Sequence, residues 1–249
     1  MSTREIRNLI VSAVLLALCA LLPIYGSAYW LTMGTTMAMF AVLATSWALF
    51  SGPTHYISLA TAAFFGLGTF VTGLWFQTLP FWTLPLIAAV AGAALAALVG
   101  LVTLRLSGVY FVIFTLGLAE MVRQIFTWVQ NQTGARGMYV LTSLTEKEIF
   151  WMLLALGTLV YLAGWLIGRS RLGFALRIIG NDETVAKHSG IDTARAKVLL
   201  FMLPGATAAA AGAMLAPRYI YIEPATAFAP LLSFQVVIMA LLGGTGRLW

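Results

Sequence analysis

The sequence predicts an all-α fold: a polytopic transmembrane helical bundle of about eight spans that carries one short surface helix. Three observations carry that expectation. Of 249 residues, 61% are hydrophobic and only 9% are charged, and the mean hydropathy is +0.95, far more apolar surface than a single aqueous core buries. The apolar residues run on continuously for about 20 residues at a time instead of alternating with period two, which selects helices over a closed barrel as the means of pairing every backbone N–H and C=O in lipid. The lysines and arginines stand almost entirely in the short segments between these runs.

Taken in order, the runs place spans at roughly 9–26, 30–50, 58–79, 82–104, 108–130, 149–168, 198–216 and 231–245. The first is preceded by Arg4 and Arg7 and followed by small residues at Gly26–Ala28, a pattern shared with signal peptides. A spanning helix is preferred because the rest of the chain is itself membrane-spanning. The third is preceded by SGPTHYISLA, residues 51–60, where Gly52, Pro53 and Ser58 interrupt the apolar pattern and predict a broken or re-entrant helix entry. Gly66, Gly68 and Gly73 on the third span, and Gly92, Ala96 and Gly100 on the fourth, fall at small-residue spacing, which lets helices approach closely.

The fifth span holds Glu120 and Arg123 three residues apart, hence on one helical face. An unpaired charge near the bilayer centre costs about 2.5–3.5 kcal/mol, so the two are expected to pair with each other, with another helix or with water, and Arg123 can also snorkel. Glu120, with the hydroxyls of Tyr110 and Thr115 on the same span, is a candidate to line a polar path through the bundle. The alternative is that the ion pair is structural glue between helices.

The most polar stretch lies between the sixth and seventh spans, where Arg169, Arg171, Arg177, Asp182, Glu183, Lys187, Asp192, Arg195 and Lys197 fall within residues 169–197. Inside it GNDETVAKHSG, residues 180–190, has the layout of a short helix. Asn181 serves as N-cap, Asp182 and Glu183 put negative charge on the first turn, Lys187 and His188 put donors on the last, and Gly190 takes the left-handed position beyond the end. Two turns are too few to hold in water, where an isolated helix needs about 12–15 residues, so something must hold it.

Sidedness follows from the cations. A cytoplasmic N-terminus puts Arg4, Arg7, Arg105, Arg169, Arg171, Arg177, Lys187, Arg195, Lys197 and Arg247 inside, against Arg136, Lys147 and Arg218 outside, ten to three. Residues 169–197 then form the largest cytoplasmic feature. The same distribution accounts for the net charge of +6 without a nucleic-acid partner. The single Cys19 leaves no internal disulfide. His55 and His188 stand apart in the topology, and the chain has no HExxH, no cysteine cluster and no Walker A loop, so neither a metal site nor a catalytic one is expected. No cofactor is expected in the chain, which carries no phosphate-binding loop of its own for ATP.

The order R-x-G-x-A-L-R-x-x-x-N-D-E-x-x-A-x-x-x-G-I, from Arg171 to Ile191, resembles the coupling-loop motif of ABC importer permeases, specifically the branched-chain amino acid permease family of the LivM type. Further stretches carry the resemblance in the family's order: HYISLATAAFFGLGTF at 55–70, GVYFVIFTLGLAEMVRQ at 108–124 followed by TGARG at 133–137, and PATAFAPLLSFQVVIMALLGGTG at 224–246. Gly180 departs from the pattern where a basic residue is common, and Val185 where a second alanine is common. The resemblance implies a single transmembrane permease domain over 1–249, with 169–197 as a cytoplasmic coupling loop whose short helix fits a groove on an ATPase. Asn181, Asp182, Glu183, Ala186 and Gly190 match the coupling frame.

It also implies an inner-membrane location, a second permease subunit, two cytoplasmic ATPase subunits and a periplasmic solute-binding protein that delivers branched-chain or related small amino acids. Urea, short amides or small aromatic acids are the alternative cargoes of related permeases. Family members continue beyond GGTGRLW, so the resemblance further implies that this chain stops short of them. Two readings from other classes stay open: a secondary transporter or channel without an ATPase, and a helical scaffold whose basic loop binds anionic lipid.

Overall fold

The computed structural model describes residues 16, 18–24, 26–103, 109–133, 137–140, 142 and 144–244. The first expected span, 9–26, falls largely outside these residues, although 18–24 are helical. Of the cations used for sidedness, Arg4, Arg7, Arg105, Arg136 and Arg247 also lie outside them. Among the described residues six helices are long and apolar enough to cross a membrane, and a seventh apolar helix is shorter, so the expected count of about eight is not reached there.

Helix α1, Ala28–Thr54, has 27 residues and at 1.5 Å per residue measures about 40 Å, more than the ~30 Å hydrocarbon core. It runs through Gly52 and Pro53 and stops at His55, whose left-handed backbone (φ 58°) lets its N–H cap the Ser51 carbonyl at 2.8 Å. Residues 55–60 are not helical, so the break expected before the third span is present. Helix α2, Thr61–Trp75, follows it with 15 residues, about 22 Å, too short to cross alone. The expected third span of 58–79 is corrected accordingly: the unwound entry and the turn after Trp75 remove its two ends, and most of what remains is buried in the bundle.

Helix α3, Leu84–Thr103, follows a short 3-10 turn at Phe81–Thr83, and α4 runs Val109–Thr133. Strand β1, Met138–Tyr139, pairs antiparallel with β2, Tyr221–Ile222, at one end of the bundle. Between them lie α5, Glu146–Arg169, α6, Arg171–Asn181, α7, Glu183–His188, and α8, Thr193–Leu215. A 3-10 turn at Ala216–Tyr219 leads into β2, and α9, Pro224–Ala227, and α10, Pro230–Gly243, complete the described chain. At the start of α5 the Glu148 carboxylate accepts hydrogen bonds from the amide (2.7 Å) and hydroxyl (3.0 Å) of Thr145, a reciprocal cap.

The architecture is organised around α8, buried along most of its length and packed most extensively on α2 and α3. Small residues make this possible, since lipid offers no hydrophobic drive for helix association and close backbone contact must supply it. A Cβ at Gly68 would stand 1.8 Å from the Ala209 carbonyl oxygen, one at Gly212 2.0 Å from that of Phe65, and one at Gly92 2.4 Å from that of Gly205. The small-residue rows on the third and fourth spans are therefore packing seams. Thr69 and Thr72 on α2 add hydroxyl bonds across the seam, to the carbonyls of Gly212 (3.3 Å) and Ala213 (3.2 Å). Helices α3, α4 and α10 instead present Leu86, Val90, Leu98, Ile113, Trp128 and Leu242 outward, the apolar surface a membrane requires.

Candidate functional site

Helix α7 is built by its caps. Asp182 breaks α6 from α7 with an extended backbone (φ −157°), and its Oδ1 accepts from the N–H groups of Thr184 (2.7 Å) and Val185 (3.3 Å). Those two bonds, with a smaller contribution from His188, hold the Asp182 carboxyl below the usual carboxylate range. The expected N-cap, Asn181, is instead the last residue of α6. The register moves by one because it is Asp182 that takes the extended backbone of a cap, with its carboxylate at the positive end of the helix. At the other end the N–H of Gly190 reaches the Lys187 carbonyl (3.1 Å) and that of Ile191 the Ala186 carbonyl (3.1 Å), a Schellman closure that needs the left-handed φ of +77° at Gly190.

What holds this six-residue helix is the bundle. Ala186 is 0% exposed and packs into the main core, against which Ile191 also packs, while Val185 is 53% exposed and Thr184, Lys187 and His188 face outward. The backbone of Glu183 opens the helix, but its side chain lies outside the described residues. Of the residues assigned to coupling, Ala186 therefore faces this chain's own core, and Asn181, Asp182 and Gly190 lie at the surface.

The segment before α7 is a helix that the charge pattern hid. Ser170 caps α6 by accepting from the Gly173 amide (3.2 Å), and Gly173, Leu176 and Ile179 turn inward at helical spacing while Arg171, Phe174 and Arg177 turn out. A Cβ at Gly180 would approach the Pro53 carbonyl oxygen to 2.4 Å, which explains why no larger residue stands there.

On α4 the candidate path residues do not converge. Five residues turn a helix by about 140°, so Tyr110, Thr115 and Glu120 face three directions. Tyr110 is 74% exposed and Thr115 is buried. Glu120 accepts from Arg123 Nε (2.9 Å) and Nη2 and from Gln124 Nε2 (2.8 Å), a self-contained polar cluster with side-chain exposures of 44% for Glu120 and 32% for Arg123. As the twelfth of 25 residues in α4, Glu120 stands near the middle of the helix.

Thr115 belongs to a different constellation. The unwound segment 55–60 has no helical ladder, and side chains from several helices satisfy it: the Leu59 amide donates to Thr115 Oγ1 (3.0 Å), the Ser58 carbonyl accepts from Trp47 Nε1 (2.8 Å), and the Ala62 amide just beyond donates to Ser233 Oγ (2.9 Å). Lys197 Nζ donates to the Tyr56 hydroxyl (3.2 Å) and lies 4.5 Å from the centre of that ring. Sequence reading located the break but not this ring of partners, for single threonines, serines and lysines in apolar helices carry no spacing signal. Among the described residues no three His, Cys, Asp or Glu side chains gather as metal ligands.

Comparison with known proteins gives a consistent family. Residues 28–249 match the family model described as "Branched-chain amino acid transport system / permease component". The chain is 27% identical over 267 residues to the high-affinity branched-chain amino acid transport system permease protein LivM of Escherichia coli (strain K12), a match covering 93% of this chain and 62% of the relative. It is 29% identical over 177 residues to the autoinducer 2 import system permease protein LsrC of Klebsiella pneumoniae, covering 65% of this chain and 48% of that protein. The LivM of Salmonella typhimurium is 27% identical over 230 residues, covering 78% and 54%. The chain thus spans about half to three fifths of the length of these relatives. No solved structure matches it. A multi-pass membrane bundle that matches one permease model over nearly its whole length is a transport component rather than an enzyme, and the chain belongs to the family of branched-chain amino acid transport system permease components.

Proposed function

We propose that this chain is a transmembrane subunit of an ABC importer that forms part of the translocation pathway for branched-chain or related small amino acids, driven by ATP hydrolysed on separate subunits. The observation that carries the reading is α7: a helix of six residues, capped at both ends, seated on the bundle through Ala186 and presenting Thr184, Val185, Lys187 and His188 to a partner, within the stretch that resembles the coupling motif. The partners are two cytoplasmic ATPase subunits at α7, a second permease subunit and a periplasmic solute-binding protein. The bundle sits in the inner membrane with the N-terminus and α6–α7 on the cytoplasmic side, as the cation distribution favours. ATP-driven closure of the ATPases displaces α7 and switches the bundle between outward- and inward-facing states.

Glu120 lends no support to an ion-coupled carrier, because its carboxylate is hydrogen-bonded by Arg123 and Gln124 of its own helix. The amino-acid cargo rests on the likeness to two LivM proteins; the autoinducer 2 permease in the same comparison is named for a different cargo. Purification of the tagged chain from native membranes in mild detergent tests the reading. An ATPase is expected to accompany it, and Glu183→Arg is expected to release that ATPase while the chain still inserts. Recovery of the folded chain alone, with no ATPase, overturns it.

A further inference from the structure

The sequence counts Lys197 among the loop cations, yet it is 1% exposed, one of the largest fully buried side chains in the molecule. A buried ammonium is costly unless bonded. Here it meets the hydroxyl and ring of Tyr56, whose ring packs perpendicular to that of Phe111 at 5.1 Å between centroids. Tyr56 is the second residue of the unwound segment. Lys197 stands in the second turn of α8, and only Ser189, Gly190, Ile191 and Asp192 separate α8 from α7.

That connection has little slack. Gly190 and Ile191 are tied back to α7 by the Schellman bonds, and Asp192 caps α8 by accepting from the Arg195 amide (3.0 Å). On the N-terminal side of α7, Gly180, the next-to-last residue of α6, lies against the Pro53 carbonyl, two residues before the unwound segment begins. The α6–α7 junction thus abuts Pro53, and the second turn of α8, just beyond α7, meets Tyr56. The unwound segment itself is held by single side-chain hydrogen bonds to α1, α4 and α8, which can be exchanged one at a time, unlike a helical ladder.

We infer that Lys197 is a positioning residue that transmits displacement of the α6–α7 element to the unwound segment 55–60 through Tyr56. This rests on the reading that α7 docks an ATPase. It assigns the mechanical output of docking to the break, and from there to α4 through Thr115.

The test uses the complex purified from native membranes and reconstituted in liposomes, with leucine as the probe solute and its uptake and ATP hydrolysis measured together. Lys197→Met is expected to lower the solute carried per ATP hydrolysed by at least about 5-fold, the lower end of coupling between sites, with ATPase still bound. Lys197→Arg is expected to recover most of that ratio, which a purely space-filling role does not predict. If Lys197→Met fails to fold, Tyr56→Phe, which keeps the ring and removes only the hydroxyl, decides through the same ratio. An unchanged ratio in the variant that folds overturns the inference while leaving the ATPase partnership intact. Absence of any ATPase from the unaltered complex overturns both.

Discussion

Gly68→Ala is the smallest change that tests how α2 and α8 are joined. The added methyl would stand 1.8 Å from the Ala209 carbonyl oxygen, about 1.2 Å inside the 3.0 Å below which real Cβ contacts essentially never fall. The obstacle is backbone in the middle of a buried helix, so no rotamer change relieves it and the two helices must separate. Overpacking of this kind costs about 1–3 kcal/mol. Separation also stretches the bonds from Thr69 to Gly212 and from Thr72 to Ala213, each worth about 0.6 kcal/mol in a membrane bundle. Together these give about 2–4 kcal/mol, a fall of roughly 4–16 °C in the midpoint of thermal unfolding for a chain of this size. The assay is a thermal melt in detergent beside Gly117→Ala, since a Cβ at Gly117 meets nothing within 4 Å and controls for helix propensity. Melting of Gly68→Ala within a degree or so of Gly117→Ala would refute the close crossing.

Three further outcomes are expected. The Asp182 carboxyl is held below its ordinary range by the Thr184 and Val185 amides, so its support of α7 is fully present above the unfolded carboxylate pKa of about 3.9 and is lost as pH falls through the lower folded value. Amide exchange at Thr184 and Val185 checks this: protection should fall on acidification, and Asp182→Ala should exchange fast at every pH. Near the middle of α4, Glu120→Leu or Arg123→Leu alone leaves a charge without its partner, costing about 2.5–3.5 kcal/mol, whereas the double substitution should recover most of the loss of membrane-inserted protein on an expression blot. Thr115→Val removes the acceptor of the buried Leu59 amide and should destabilise the chain by about 1–3 kcal/mol in the same melt, with Thr115→Ser restoring it.

The long helices were legible because continuous apolar runs have one satisfactory backbone solution in lipid. The break was legible too, because glycine, proline and serine interrupt the run at Gly52, Pro53 and Ser58, although the helix persists to Thr54 before yielding. Less legible was α6. Its arginines dominate the reading of 169–197, while the inward faces of Gly173, Leu176 and Ile179 form a helical repeat that emerges only when the charges are set aside. The one-residue shift from Asn181 to Asp182 is the kind of choice that two adjacent capping residues leave to geometry. The burial of Lys197 was illegible for a firmer reason: a charge count assigns sides of a membrane, but it has no means of registering that Tyr56, 141 positions away in the chain, supplies a hydroxyl and a ring face.

Hydropathy also fails to say which apolar helix meets lipid and which meets protein. The Thr193–Tyr219 and Pro224–Gly243 segments have nearly equal hydropathy, 1.9 and 2.0, yet 67% of the first window and 33% of the second are buried. The difference lies in shape. Where α8 reads GATAAAAGA, at 205–213, every side chain is small enough to admit another backbone, and Gly68 and Gly92 bring α2 and α3 to within contact of its carbonyls. Where α10 reads LLSFQVVIMALL, at 231–242, the side chains are bulky and the helix turns Leu231, Ile238, Leu241 and Leu242 outward. Ser233 and Ala240 are its small exceptions, both buried, and at Ser233 α10 reaches inward to the amide of Ala62. In a bundle without a hydrophobic drive between helices, side-chain volume and hydroxyl placement, rather than apolarity, separate the buried α8 from the outward-facing α10.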